Sequence, residues 1–187
     1  MGRWEPDAVG RLQEAALELY GERGFESTAV ADIAERAGLT ERTFFRYFAD
    51  KREVLFFGSG SLLELFEDAV ANAPDSLAPI DAVGAALQAA AGFFEERREH
   101  ARRRQGVIAA NPSLQERELI KLASLAAAAA GALRGRGVGD AAALLAAEAG
   151  IAVFRIGFGN WVDVANDRAF ADIMRDTLAE FKAVTAG

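Results

Sequence analysis

An all-α chain is expected from three features of this 187-residue sequence. Proline occurs only four times, and long runs are rich in alanine, leucine and glutamate, which are strong helix formers. Apolar residues recur at spacings of three and four, which places them on one face of a helix. Short glycine- or proline-bearing breaks then cut the chain into about nine helices: three short ones, a connecting one, and a larger helical bundle.

Asp7 to Arg23 is the first helix, with Leu12, Ala16, Leu19 and Tyr20 on its apolar side and Arg11, Glu14, Glu18 and Glu22 opposite. Gly24 closes it, as a residue able to turn left-handed, and Phe25 is expected to enter the core. Thr28 opens a second helix through Arg36, whose stripe is Val30, Ile33, Ala34 and Ala37. Gly38 breaks that helix, and Thr40 caps a third that runs to Phe48, with Phe44 and Phe48 on one face. A fourth helix runs towards Ala73, weakened in its middle by Gly58-Ser59-Gly60-Ser61. Beyond the break at 72–78, helices are expected near 80–97, 99–110, 113–134, 140–166 and 168–184. They are separated by Asn111-Pro112, the glycine-rich 135–139 and Asn166-Asp167, while 97–99 is the weakest join. The alanine-rich tract 126–132 is flanked by good helix formers and reads as helix.

Composition narrows the functional classes. A hydrophobic fraction of 51% with 26% charged residues is that of a globular protein. Without cysteine there is neither a disulfide nor a thiolate metal site, and the single histidine, His100, gives little basis for metal chemistry or a catalytic triad. The N-terminus lacks the apolar core of a signal peptide. The longest apolar stretch, 125–133, is shorter than the ~20 residues a membrane span needs. A soluble cytoplasmic protein without a membrane partner is expected. Catalytic residues, a metal set and a cofactor motif are not found; the glycine-rich 135–139 lacks the lysine and hydroxyl residue of a phosphate loop.

The net charge of −7 argues against a chain coated in cations, but its distribution matters more. Between Thr40 and Arg52, four cations (Arg42, Arg46, Lys51, Arg52) stand against two carboxylates (Glu41, Asp50). This small basic patch coincides with a helix, a glycine turn and a second helix over 28–48. That arrangement is the geometry of a DNA-reading helix-turn-helix. On its second helix, Phe44 and Phe48 should pack inward on Ile33 and Ala34, while Glu41, Arg42, Phe45 and Arg46 face out. An outward arginine can pair with a guanine edge or with phosphate, and the Phe45 ring can lie on a thymine methyl or the sugar wall. Taken singly, Thr28 and Thr40 are ordinary helix caps, Phe44 and Phe48 are core, and the cations are solvated surface. Their combined spacing favours DNA binding.

Residues 9–57 resemble the DNA-binding head of the TetR family of regulators. The pattern is Gly-Phe-x-x-Thr-x-x-x-x-Ile-Ala-x-x-Ala-Gly-x-Thr, then an aromatic-rich short helix, then Lys-x-x-Val-Leu. The resemblance implies a DNA-binding domain over residues 1–52 and a ligand-binding, dimerisation domain over 53–187. It implies a phosphate contact from Thr28, base-reading positions at Arg42, Thr43 and Arg46, and a backbone-phosphate contact from Lys51; Thr40 belongs to the same surface. Phe45 stands where the family usually has a phosphate-binding tyrosine and Tyr47 where it often has histidine, so a hydroxyl is lost at one position and supplied at the other. The implied protein is a homodimer on palindromic operator DNA, most simply a repressor released by a small apolar or acyl-type effector. An activator of the same fold, or a helical ligand carrier without DNA function, are the alternatives.

In the body, Phe93, Phe94, Val107, Ile108, Leu125, Phe154, Phe158 and Trp161 are candidates to line an apolar effector pocket, as well as candidates for plain core. The last two helices are expected to form the dimer face, as the resemblance implies. Leu144, Leu145, Glu148 and Ile151 make one largely apolar side, and Phe170, Ile173, Met174, Leu178 and Phe181 the other. The basic run 97–104 reads first as solvated helix surface, with a contact to the head or an anionic ligand as alternatives.

Overall fold

A computed structural model describes residues 7–186. The first six residues, read above for want of a signal peptide, lie outside the described residues. Among those described there are nine α-helices and no strand: α1 (Ala8–Arg23), α2 (Val30–Arg36), α3 (Glu41–Tyr47), α4 (Ser59–Ala71), α5 (Pro79–Phe94), α6 (Arg98–Ala109), α7 (Pro112–Gly135), α8 (Asp140–Val162) and α9 (Phe170–Thr185). Two 3-10 turns, Glu53–Phe56 and Glu95–Arg97, precede α4 and α6. The chain divides into two compact units, one of residues 1–57 with 103–118 and one of 58–102 with 119–187.

The first unit is built from short helices whose ends are set locally. Gly24, at φ 85°, closes α1 with its N–H on the Tyr20 carbonyl at 3.1 Å. Gly38, at φ 65°, turns the chain after α2, and the Arg11 guanidinium donates to the Ala37 carbonyl there. A side chain at residue 38 would meet that guanidinium 2.8 Å from its Cβ, so both the backbone angle and the space call for glycine. The Thr40 hydroxyl accepts from the Thr43 N–H at 3.2 Å and caps α3. Leu12, Leu19, Ile33, Phe44 and Phe48 form the middle of this core, joined by Val54, Leu55, Phe56, Ile108 and Leu114.

Glu53–Phe56 form a turn whose three apolar side chains are buried in the first unit. Residues 103–118 also belong to that unit: Arg103 pairs with Glu14 at 2.5 Å, Arg117 with Glu53 at 2.7 Å, and Arg104 with Glu118 at 3.1 Å. Arg104 also donates to the Leu55 carbonyl at 2.6 Å, with its guanidinium 5.0 Å from the centre of the Phe56 ring. Burial pushes the Arg104 pKa down, and Glu118 pulls it back up.

In the second unit α5 packs against α4, α8 and α9, and α8 lies along α9. The close approaches are made at glycine: a Cβ at Gly150 would stand 2.2 Å from Val83 Cγ1. Phe66, Val83, Leu87, Leu133, Phe154, Trp161, Phe170 and Met174 are all buried. Arg136 donates to the Val70 and Pro74 carbonyls at 3.2 and 2.9 Å, satisfying groups left open after α4. At the end of α8, Arg98 and Arg102 donate to the Trp161 and Val162 carbonyls, each at 2.9 Å. These guanidinium groups of the basic run are therefore engaged inside the protein, not held out as a solvated patch. The weak stretch at 58–61 is a break: Gly58 adopts φ 87° and α4 begins only at Ser59. By length and composition α8 passes for a membrane span, with mean hydropathy 1.7 over its most apolar window, which the reading based on 125–133 overlooked. One side of it packs against α5 and α9 in this unit, and 44% of that window is buried.

Candidate nucleic-acid interface

The outer side of α3 is built from the inside. Phe44 is fully buried and touches Phe48 with ring centroids 5.3 Å apart, which fixes the rotation of this seven-residue helix. Arg42, Phe45, Arg46 and Tyr47 are then exposed, with Phe45 at 55%. Residues 42, 45 and 46 are all exposed on the side of this helix away from Phe44 and Phe48, so two cationic side chains share that side with one phenyl ring. The Phe45 ring stands edge-on to Phe44 at 5.4 Å, and Arg46 lies 4.7 Å over the Tyr47 ring while donating to its hydroxyl at 3.0 Å. Thr40 is exposed and Thr43 half-buried beside it, their hydroxyls 3.0 Å apart. Six of the eight expected positions thus share one surface.

The other two are placed differently. Thr28 is 1% exposed and its hydroxyl donates to the Gly24 carbonyl at 2.8 Å; Ala29, not Thr28, precedes α2. The Thr28 hydroxyl is thus engaged with backbone and is not part of the exposed surface. The Asp32 carboxylate instead accepts from the Ala29 N–H at 2.9 Å. Lys51 donates to three carbonyls, of Phe25 at 2.8 Å, Thr28 at 3.0 Å and Glu26 at 3.2 Å, with its ammonium 4.5 Å from the centre of the Phe25 ring. Its three donors are used in closing the turn between α1 and α2. The Tyr20 hydroxyl donates to the Lys51 carbonyl at 2.6 Å, and burial first, then the Asp50 charge, push the Tyr20 pKa up, keeping it a neutral donor. Lysine length and the apolar face of Tyr20 carried no sequence signal of this staple.

α2 is held to α1 by Arg36, which pairs with Glu18 at 3.0 Å and Glu22 at 2.9 Å. The Arg36 hydrogen bond holds the Glu22 carboxyl below the usual range.

In the second unit, Phe94, Phe154, Phe158 and Trp161 come together, with Phe94 5.5 Å from Phe158 and Phe158 5.8 Å from Trp161 between ring centroids. Phe170 completes the cluster by stacking on Trp161 at 4.6 Å. Phe93 stands edge-on to Phe94, and Leu125 is buried in the same core. Val107 and Ile108 do not join them: both pack in the first unit's core. Six of the eight residues named for an effector pocket thus lie in the second unit.

The residues expected at the dimer face fall into two groups. Ile151, Phe170, Ile173 and Met174 are buried within the second unit, and Leu178 and Phe181 pack half-buried against its core. Helical periodicity marked them as apolar, and the first four of them lie in this chain's own core. Leu144, Leu145 and Glu148 are exposed, Leu145 at 72%. Ile156, three turns after Leu145 and on the same side of α8, is 55% exposed as well. It borders an open groove of about 660 Å³ along the end of α8 and α9, where Asn160, Asp163, Asp176 and Glu180 line it together with Ile156 and Ile173. No group of three or more potential metal ligands occurs among the described residues.

Residues 12–56 match the family model of bacterial regulatory proteins of the tetR family, and residues 77–186 match the model of the MftR C-terminal domain. Over 115 residues the chain is 32% identical to the putative mycofactocin biosynthesis transcriptional regulator MftR of Mycobacterium tuberculosis, covering 62% of this chain and 58% of that relative's length. Its fold is similar to that of the regulator FadR of Bacillus subtilis in complex with stearoyl-CoA (TM-score 0.63, 17% identity, 92% of this chain and 96% of the other). It is similar too to that of the repressor FadR of Thermus thermophilus in complex with lauroyl-CoA (TM-score 0.55, 21% identity, 92% of each chain). With the helix-turn-helix at one end and the matched helical body at the other, the chain belongs to the TetR family of bacterial transcriptional regulators, and is not an enzyme.

Proposed function

We propose that this regulator is a cytoplasmic, homodimeric repressor that binds palindromic operator DNA through α3 and leaves it when a small apolar or acyl-type effector binds the second unit. The observation that carries the reading is the exposed Arg42–Phe45–Arg46 surface on a helix whose other side is locked by Phe44 and Phe48. A short helix anchored in this way presents its outward side chains to a major groove at little entropic cost, and Thr40, Thr43 and Tyr47 border the same surface. Dimerisation through α8 and α9 is supported by Leu144, Leu145 and Ile156, large apolar side chains left in solvent on one helix. A two-fold pair would set two α3 helices about 34–36 Å apart, one turn of DNA. The acyl-type effector is supported by the aromatic cluster around Phe94 and Trp161, and by the acyl-CoA complexes of two proteins that share the fold. Effector release requires unequal affinity for the DNA-bound and free forms.

The test is retardation of DNA from the region upstream of the chain's own gene, across a salt series. Wild-type binding should weaken steeply as salt rises, because neutralised phosphates release counterions. Arg46→Ala should bind about tenfold more weakly or worse with unchanged helix content, the cost of one lost arginine contact. Equal affinity of the variant would remove Arg46 from the reading face, and no binding even at low salt would leave a helical ligand carrier. Addition of stearoyl-CoA should release the DNA.

A further inference from the structure

We infer that Phe45 reads a base, by seating its ring on the 5-methyl group of a thymine in the major groove; the inference rests on α3 being the DNA-facing helix. Phe44 and Phe45 are consecutive, yet one is fully buried and the other is 55% exposed. The edge-on contact between them at 5.4 Å holds the outer ring in place before any partner arrives. Arg42 and Arg46 are exposed on the same outward side of α3. Cations so placed draw this patch, ring included, towards a polyanion.

The chemistry of the ring selects what it meets there. A phenyl group has no donor or acceptor, so it gains nothing from a phosphate oxygen or from the polar edge of a guanine, adenine or cytosine. Thymine alone displays a methyl group on the major-groove edge. Contact between that methyl and the ring removes both from water, and the site is then specific against cytosine, whose edge at that position is bare. The neighbouring Tyr47 ring carries a polar hydroxyl and lies under the Arg46 guanidinium, so the Phe45 phenyl group is the purely apolar side chain of the patch.

The full-length protein is used to retrieve binding sequences from a pool of random DNA duplexes. The retrieved duplex is then remade with deoxyuridine replacing one thymine at a time, which removes a single methyl and keeps every base pair. At one thymine in each half-site, wild-type affinity is expected to fall about fourfold, the transfer of one methyl-sized group back to water. Phe45→Ala should bind thymine and deoxyuridine duplexes alike at that position, whereas Phe45→Leu should keep part of the discrimination, both with the wild-type melting temperature. The inference is overturned if deoxyuridine is without effect at every position, or if Phe45→Ala is as sensitive as wild type; in either case the ring covers sugar or does nothing. Failure of the wild type to retrieve any sequence is a different result and overturns the DNA-binding proposal along with this one.

Discussion

Lys51 separates two physical roles that the sequence leaves open, and replacing it by methionine decides between them. Methionine keeps much of the apolar stem and removes the ammonium. The structure gives that ammonium three carbonyl acceptors, two of them part-buried, and a place 4.5 Å from the centre of the Phe25 ring. Each part-buried carbonyl stripped of its donor costs on the order of 1 kcal/mol, with water recovering some of it. Loss of the cation–ring contact adds about 0.5–1 kcal/mol. The exposed Glu26 carbonyl finds water and contributes little, so the expected destabilisation is about 2 kcal/mol. For a chain of this size that is roughly a 4–8 °C fall in Tm, readable by circular dichroism during heating or by urea titration. If Lys51 instead held backbone phosphate, Lys51→Met would leave the melting curve unchanged and would lower the salt slope of DNA binding by about one charge. An unshifted Tm with a reduced slope would refute the staple.

Two further expectations use the same assays. Gly150→Ala gains about 1 kcal/mol of helix propensity but drives a Cβ to 2.2 Å from the branched side chain of Val83, and such overpacking costs about 1–3 kcal/mol, so a net loss is expected. Gly131→Ala, in α7 with open space around its Cβ, should instead raise stability by about 0.5–1 kcal/mol, and a gain at both positions would show that α5 and α8 are not in close contact. The Asp50 carboxyl is held below its usual range, chiefly by the Arg52 side chain, and accepts from the Arg52 and Glu53 N–H groups at 2.8 and 3.2 Å. A depressed folded pKa means a contribution that is present above the unfolded value of about 3.9 and lost as pH falls through the folded one. Melting measured below about pH 4 should therefore show wild type losing stability faster than Asp50→Asn, and parallel pH curves would count against the interaction.

Local signals made much of the architecture legible. Gly24, Gly38, Asn111-Pro112 and the glycine-rich 135–139 each end a helix within a residue or two of where the sequence places the break, because backbone freedom and missing donors act over a single turn. The same holds for α3: Phe44 and Phe48 at a four-residue spacing set its inward side and thereby its outward one. Thr28 and Lys51 were less transparent. A threonine before a helix and a lysine after one suit a solvent-facing contact equally well. Only the path of 24–28, doubling back over Leu19 and Tyr20, brings carbonyls within reach of both side chains.

The sequence by itself therefore determined the helical class, many of the helix ends and the outward side of α3, all of which depend on interactions between residues a few positions apart. Tertiary structure alone decided which apolar faces meet inside the chain. Periodicity marks Phe170, Ile173 and Met174 as an apolar stripe, but whether a neighbouring helix or a second subunit covers that stripe depends on contacts with α5 and α8, distant in sequence. Val107 and Ile108 illustrate the same limit: a helix registers that they are apolar, while the pairing of Arg103, Arg104 and Arg117 with Glu14, Glu118 and Glu53 assigns them to the first unit's core and not to the aromatic cluster of the second. Burial is a property of the assembled surface, and no window along the chain contains it.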